Sequence, residues 1–222
     1  MRYTITRQIF TLFYAMRMKK GEWKWQNKGK TMKKTAFLLV LCLVSALALP
    51  LNEISKTMQQ NIDKSLLLLK KAPKDKTKVA KELFKMFDPI FDYSLMAKLS
   101  LSKSYNKLND EQKQEFNKVF EEQLKASFTN KLGLYTDEKI QITGIEEKKE
   151  RVFLNAQMMI DGEIKNIIFK FYDKKGDWLI YDIDVLGVSI IQTYRSQFAD
   201  LLEKEDFNTF INRLKNTNFE LK

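Results

Sequence analysis

Between Lys139 and Val185 the chain changes its hydrophobic period, and that change restricts the fold more than any other feature. Four runs, Lys139–Ile145, Arg151–Ile160, Glu163–Asp173 and Asp177–Val185, alternate apolar and polar residues, as strands with one buried face do. Glu146-Glu147-Lys148-Lys149, Asp161-Gly162 and Lys174-Lys175-Gly176 join them, and connections this short leave no room for a crossover helix. Asp-Gly is in addition a strong hairpin signal, so the sheet is expected to be antiparallel, with its strands in sequence order. Val152, Leu154, Ala156, Met158 and Ile160 share one face of the second run, and Ile167, Phe169 and Phe171 one face of the third.

The residues before this sheet keep a helical period. Ile54, Met58, Ile62, Leu66 and Leu69 mark a helix from Leu51 to Lys71 that ends before Pro73; Val79, Leu83, Phe84 and Phe87 mark another from Thr77 to Phe87, broken by Asp88-Pro89. A short helix from Asp92 to about Leu99 precedes a long one capped by Asn109, with Asp110 and Glu111 in its first turn and Gly133 as its stop. The long helix carries a stripe of Phe116, Val119, Phe120, Leu124, Phe128 and Leu132. Beyond the sheet, Val188–Glu203 and Asp206–Lys215 supply two more helices. The expected class is therefore α+β: a four-stranded antiparallel sheet covered on one face by about six helices.

The chain has no histidine and a single cysteine, which removes most catalytic triads and zinc sites. Its net charge of +11 suggests nucleic acid until it is located. Residues 1–48 hold ten of the 39 Lys+Arg and only Glu22 of the 28 Asp+Glu, so the remainder carries 29 against 27, a net of +2. No arginine stripe interleaved with aromatics stands out in that remainder, and nucleic acid is not an expected partner.

The basic leader divides in two. MKKTAFLLVLCLVSALALP, from Met32, has a lysine n-region, an apolar run from Ala36 to Val44 and a small-x-small site at Ala46-Leu47-Ala48, the pattern of a secretory signal peptide cut after Ala48. The apolar run is shorter than the ~20 residues of a spanning helix, and Leu41 stands where a lipid-modified Cys42 would need a small residue. Cleavage leaves a mature chain without cysteine, to which the redox state of its compartment is indifferent. Residues 1–31 fit no targeting template and are read as an upstream extension ahead of a true start at Met32; Lys28-Gly29-Lys30-Thr31 can be encoded by an A/G-rich, ribosome-binding type of run. The expected domains are thus 1–31 (extension), 32–48 (signal peptide) and 49–222 (one globular domain).

Two features of that domain ask for a function. Thirteen of the chain's sixteen phenylalanines and many apolar helix positions face one small sheet, which fits either an ordinary filled core or an apolar pocket between sheet and helices. WLIYDIDVLGVSIIQTYRSQF, from Trp178 to Phe198, runs from strand through Gly187 into helix. Without histidine nothing activates Ser189 or Ser196, and one glycine makes a poor phosphate loop, so a structural clasp is expected: Gly187 lets the strand turn, the helix packs back, and Asp182 or Asp184 neutralises Arg195.

The same run resembles the W-x-x-YD-x-x-x-x-GVS-x-x-x-x-YRSQF signature of the MlaC, or toluene-tolerance, family through Trp178, Tyr181, Asp182, Gly187, Val188, Ser189, Tyr194, Arg195, Ser196, Gln197 and Phe198. FDYSLMAKLSLSKSYNKLNDEQKQEF, from Phe91 to Phe116, resembles that family's FDF-x-x-MAR…Y…T-x-EQ-x-x-x-F segment. The chain departs from the family pattern at Leu99-Ser100-Leu101-Ser102, where V-L-G is usual, and at Asn106, where tryptophan is usual. The resemblance extends from the first mature helix to Lys215. It implies a soluble, monomeric periplasmic protein, not an enzyme and without a cofactor, that carries phospholipid between two membranes with its acyl chains between sheet and helices. The partners it implies are an inner-membrane ABC transporter with an MCE-domain subunit and an outer-membrane lipoprotein–porin complex.

On that reading the inward positions Leu83, Phe87, Phe91, Met96, Phe116, Phe120, Leu154, Met158, Ile167, Phe169 and Tyr181 are the candidate lipid pocket, with Met96 and Met158 suited to variable chains. Arg195, Tyr194 and Asp182 are the head-group contact or the clasp. Three other readings remain: an enzyme using Asp182 and Asp184, which share a strand face; a protein-binding adaptor with a filled core; and a carrier of another apolar small molecule. In the first of these the bland alternative is that both carboxylates pair with Arg195 or with nearby lysines.

Overall fold

The computed structural model describes residues 48–71, 75–132, 138–160 and 162–217. The expected extension, the expected signal peptide up to Leu47, Pro73, Gly133 and Asp161 lie outside these residues. The strands are β1 (Ile140–Lys148), β2 (Arg151–Ile160), β3 (Glu163–Lys174), β4 (Asp177–Val185) and β5 (Val188–Ser189), antiparallel in the order β1-β2-β3-β4-β5. The helices are α1 (Ile54–Lys71), α2 (Lys76–Phe87), α3 (Tyr93–Leu101), α4 (Asp110–Lys131), α5 (Ile190–Leu202) and α6 (Phe207–Asn216). The α+β class and the sequential antiparallel order agree with the sequence reading.

The sheet has five strands rather than four. Leu186 (φ +55) and Gly187 (φ +80) form a two-residue turn with both residues left-handed, which returns the chain so that Val188 pairs with Val185 and Ser189 with Asp184. The last helix but one therefore begins at Ile190, not at Val188. β1 also runs on to Lys148, through residues expected to form a loop. All of Gly144–Lys148 is exposed, so this edge strand has no apolar face to betray it there.

Helices α2 to α6 each start on a side-chain cap: Asp75, Asp92, Asn109, Ser189 and Asp206 accept from backbone N–H groups of the following turn. Asn109 and Gln112 form a reciprocal capping box, so the N-cap read from the sequence is in place. Caps of this kind contribute about 1 kcal/mol each.

Two apolar clusters result. The first is helical: Phe116 and Phe120 of α4, Tyr194 and Phe198 of α5 and Phe210 of α6 form a web of rings with centroids 5.3–6.4 Å apart, and each of these side chains is buried. In the second, Leu49, Ile54, Met58 and Ile90 pack on Val152, Leu154, Phe171 and Ile180 of the sheet. Gln59 of α1 ties that helix to the edge strand, accepting from the Ile142 amide at 2.8 Å and donating to the Ile140 carbonyl at 3.4 Å.

Candidate functional site

Strand register arranges the inner face of the sheet in rows. Val152, Phe171 and Ile180 are paired neighbours across β2, β3 and β4; the next row is Leu154, Phe169 and Ile183, and the next Ala156, Ile167 and Val185. Burial falls along these rows. All of the first row is fully buried, whereas in the second Phe169 and Ile183 are half-buried, in the third Val185 is, and at the strand ends so are Met158 and Ile160.

Phe169 makes the point sharply. It lies on the central strand, flanked by β2 and β4, with its side chain packed against the helix–sheet cluster, yet it stays half-buried. A phenylalanine at such a position in a filled core would be closed over. On the helical side Phe87 and Phe91 are also half-buried, with their ring centroids 6.4 Å apart. These half-buried apolar side chains form a strip between sheet and helices, the cleft, in which burial is complete where β3 turns into β4 and falls toward the β2–β3 hairpin.

The sequence candidates separate accordingly. Leu154, Met158, Ile167 and Phe169 line the inner face of the sheet, and Phe87 and Phe91 meet it from the helical side. Leu83 is buried on α2. Met96, Phe116 and Phe120 lie in the helical cluster, away from the cleft. Tyr181 lies on the opposite face of the sheet, because the β3–β4 register slips between Lys170 and Phe171 and carries Tyr181 to the side of Lys170 and Tyr172. Ile183 and Val185 share this inner face but are not among the sequence candidates; the alternation of β4 past that slip is the signal that identifies them.

The opposite face is a clamp. Asp182, buried on β4, accepts from Lys170 Nζ (2.9 Å) and Ser189 Oγ (2.7 Å) on one oxygen, and from the Ile183 and Ile191 amides (2.9 and 3.1 Å) on the other. It thereby joins β3, β4 and the start of α5. Lys170 also lies 2.6 Å from Asp184 Oδ1, so one lysine holds both carboxylates. Burial disfavours the Lys170 ammonium, but its bonds to Asp184 and Asp182 outweigh that and raise its pKa.

The expected pairing of Arg195 with Asp182 or Asp184 is not formed. The Arg195 Nε donates instead to the Leu99 carbonyl of α3 at 3.0 Å, and Nη1 donates to Gln192 Oε1 at 3.2 Å. Lys170 sits directly across the strand pair from Asp182 and reaches it first. Tyr194 is buried within the aromatic web, where burial pushes its hydroxyl up to about 12. Leu99, Arg151, Lys170, Tyr181, Ile191 and Arg195 are among the residues that line a pocket of about 430 Å³ here, with the Arg151 guanidinium 5.4 Å from the centre of the Tyr181 ring.

A second buried carboxylate repeats the design. Phe91 makes a parallel bridge to Ile180 and the Asp92 amide donates to the Ile180 carbonyl, so this two-residue step extends the sheet beside β4. It turns Phe91 toward the cleft and Asp92 toward the clamp. There Asp92 caps α3 through the Leu95 amide (2.9 Å) and accepts from Tyr172 Oη (2.5 Å) and Lys174 Nζ (2.9 Å) of β3. Burial raises the pKa of Asp92, but the bonds from Tyr172, Lys174 and the Leu95 amide outweigh it and hold the carboxyl below its ordinary range.

Among the described residues, no group of acids, cysteines or histidines is arranged to hold a metal, and no helix is long and apolar enough to cross a membrane. The profile of a protein family described as MlaC protein matches residues 59–216. The intermembrane phospholipid transport system binding protein MlaC of Haemophilus influenzae is 26% identical over 121 residues, covering 52% of this chain and 56% of that protein; the match thus spans little more than half of the relative's length. A solved phospholipid-binding protein from Ralstonia solanacearum, in complex with a phospholipid, superposes with a TM-score of 0.65 over 74% of this chain and 96% of that one. At 18% identity this is a likeness of fold.

Proposed function

The chain belongs to the MlaC family, and from that premise we propose that it is an exported phospholipid carrier, cut from its leader after Ala48. It moves lipid through the periplasm as a monomer between an outer-membrane lipoprotein–porin complex and an inner-membrane ABC transporter with an MCE-domain subunit, and so maintains outer-membrane lipid asymmetry. It does no chemistry on its cargo and needs no cofactor. The observation that carries this reading is the half-buried inner face of the sheet, centred on Phe169. Phe87, Phe91, Leu154, Met158, Ile167, Phe169, Ile183 and Val185 hold acyl chains, while Asp182, Tyr194 and Arg195 serve as the clasp. What supports a structural role for Arg195 is its bond to the Leu99 carbonyl, which couples α5 to α3.

Energetics explain why such a carrier works only with docked partners. Burying two acyl chains of about 30 methylenes, at ~0.8 kcal/mol each, contributes on the order of 24 kcal/mol relative to water. That exceeds the practical limit of roughly 18–21 kcal/mol for non-covalent affinity, and even after binding costs are subtracted, escape into water is very slow. In a bilayer the same chains are already buried, so transfer is nearly neutral when they pass directly from one apolar site to the next.

Native mass spectrometry of the protein recovered from its own periplasm tests the proposal. Phospholipid bound in stoichiometric amount is the expected result; a lipid-free protein from the native host counts against the carrier reading.

A further inference from the structure

Among the described residues, burial at the amino end begins at Leu49. Ala48 is exposed, whereas Leu49 is 6% exposed and belongs to the helix–sheet cluster with Ile54, Met58, Val152 and Phe171. Its backbone is fastened on both sides: the Leu49 amide donates to Asp177 Oδ1 at 2.8 Å, and its carbonyl accepts from the Trp178 amide at 3.0 Å. Pro50 follows in an extended conformation with φ fixed by its ring, and its ring also restricts the backbone of Leu49 before it.

Asp177 is under-used for a carboxylate. It is half-buried at the first position of β4, and its hydrogen-bond donor among the described residues is the Leu49 amide. Lys174, its cross-strand neighbour in the same hairpin, is turned to Asp92. A carboxylate has room for several donors and gains most from a charged one. An amide supplies a single hydrogen and no charge. The nitrogen that contacts Asp177 is the one that a cut after Ala48, at the Ala46-Leu47-Ala48 site, would release.

We infer that leader removal completes this contact: the new α-ammonium of Leu49 forms an ion pair with Asp177 and locks the amino end of the mature chain onto the start of β4. The inference rests on the exported, leader-cleaved reading above. A leader peptidase uses water to hydrolyse the Ala48–Leu49 peptide bond; the leader leaves with a carboxylate on Ala48, and the Leu49 amine takes up a proton. A free α-amine has a pKa of about 7.7–8.0 and is only partly charged near neutrality, but a carboxylate at contact distance favours the charged form. Processing thus replaces a bond from a neutral amide with one from a charged ammonium, with the nitrogen already in place.

The test uses the exported protein after processing in its host. Amino-terminal sequencing should find Leu49 in the first cycle; another first residue overturns the cleavage position. Three variants then probe the pair: Asp177→Asn, one alanine inserted between Ala48 and Leu49, and both together. The insertion keeps the cleavage site and moves the ammonium outward by about 3.8 Å. Each single variant should melt about 2–4 °C below the wild type, and the double variant no lower than either. Single variants that melt with the wild type overturn the ion pair even when Leu49 is the terminus. Losses that add in the double variant also overturn it, because they mark two independent effects.

Discussion

The helical and the helix–sheet clusters use the same kinds of side chain and fill space differently. Phe116, Phe120, Tyr194, Phe198 and Phe210 are all at 1% exposure or less, each ring against others. On the sheet, burial is complete at Val152, Phe171 and Ile180 and then lapses at Phe169, Ile183, Val185, Met158 and Ile160. On the carrier reading proposed above, stability when empty and room for cargo fall on different residues. Asp182 and Asp92 join the regions, since each accepts from an amide in the first turn of a helix and is bonded to β3.

The largest expected effect lies in the filled region. Phe116→Ala should cost about 3–5 kcal/mol, a fall in Tm of roughly 10 °C or more, seen by calorimetry. A loss below about 1 kcal/mol would mean that this core is loose too, and the contrast would collapse. Next comes the joint: Asp182→Ala strands the Ile183 and Ile191 amides and Ser189, and should cost about 2–3 kcal/mol in denaturant unfolding. If it costs no more than a surface substitution, the regions are not coupled there.

Acid provides a gentler way to load the other joint. The Asp92 carboxyl is held below its ordinary range in the folded protein, so its contribution is present above the unfolded value of about 3.9 and is lost as pH falls through the lower, folded value. Denaturation midpoints should fall below about pH 4, and less steeply in Asp92→Asn. An unchanged slope in that variant would remove Asp92 as a cause. The smallest effect on stability, and the sharpest on function, is expected from Ile183→Trp. In open space the larger ring should change stability by less than about 1.5 kcal/mol while reducing co-purifying lipid tenfold or more. A strongly destabilised Ile183→Trp would show that the cleft is as full as the helical core.

Much of this architecture was legible in the chain. The spans of β2 and β4 follow from alternation bounded by turn residues, and the start of α4 from the Asn109 cap. Three features escaped for physical reasons. β5 is two residues long, too short for any period to register. The slip between Lys170 and Phe171 reverses the facing of Tyr181, which strict alternation had turned inward. That a nearby lysine rather than Arg195 takes both carboxylates was one of the readings left open, but its identity as Lys170 is not visible until register makes it the cross-strand neighbour of Asp182. The division between core and cleft is the hardest part to read: Phe116 and Phe169 are the same residue at equally regular positions, and only packing tells them apart.

The contact between Leu49 and Asp177 joins residues 128 positions apart, whereas each strand pairs with its neighbour in sequence. Hairpins between neighbours close small loops and form early; a contact across most of the chain pays its closure entropy only once the rest is ordered. A chain that emerges amino end first, as in synthesis, presents Leu49 long before β4 follows. The inner end of the sheet is therefore sealed last in time by the residue that arrives first, and until then Val152, Phe171 and Ile180 lack that part of their cover.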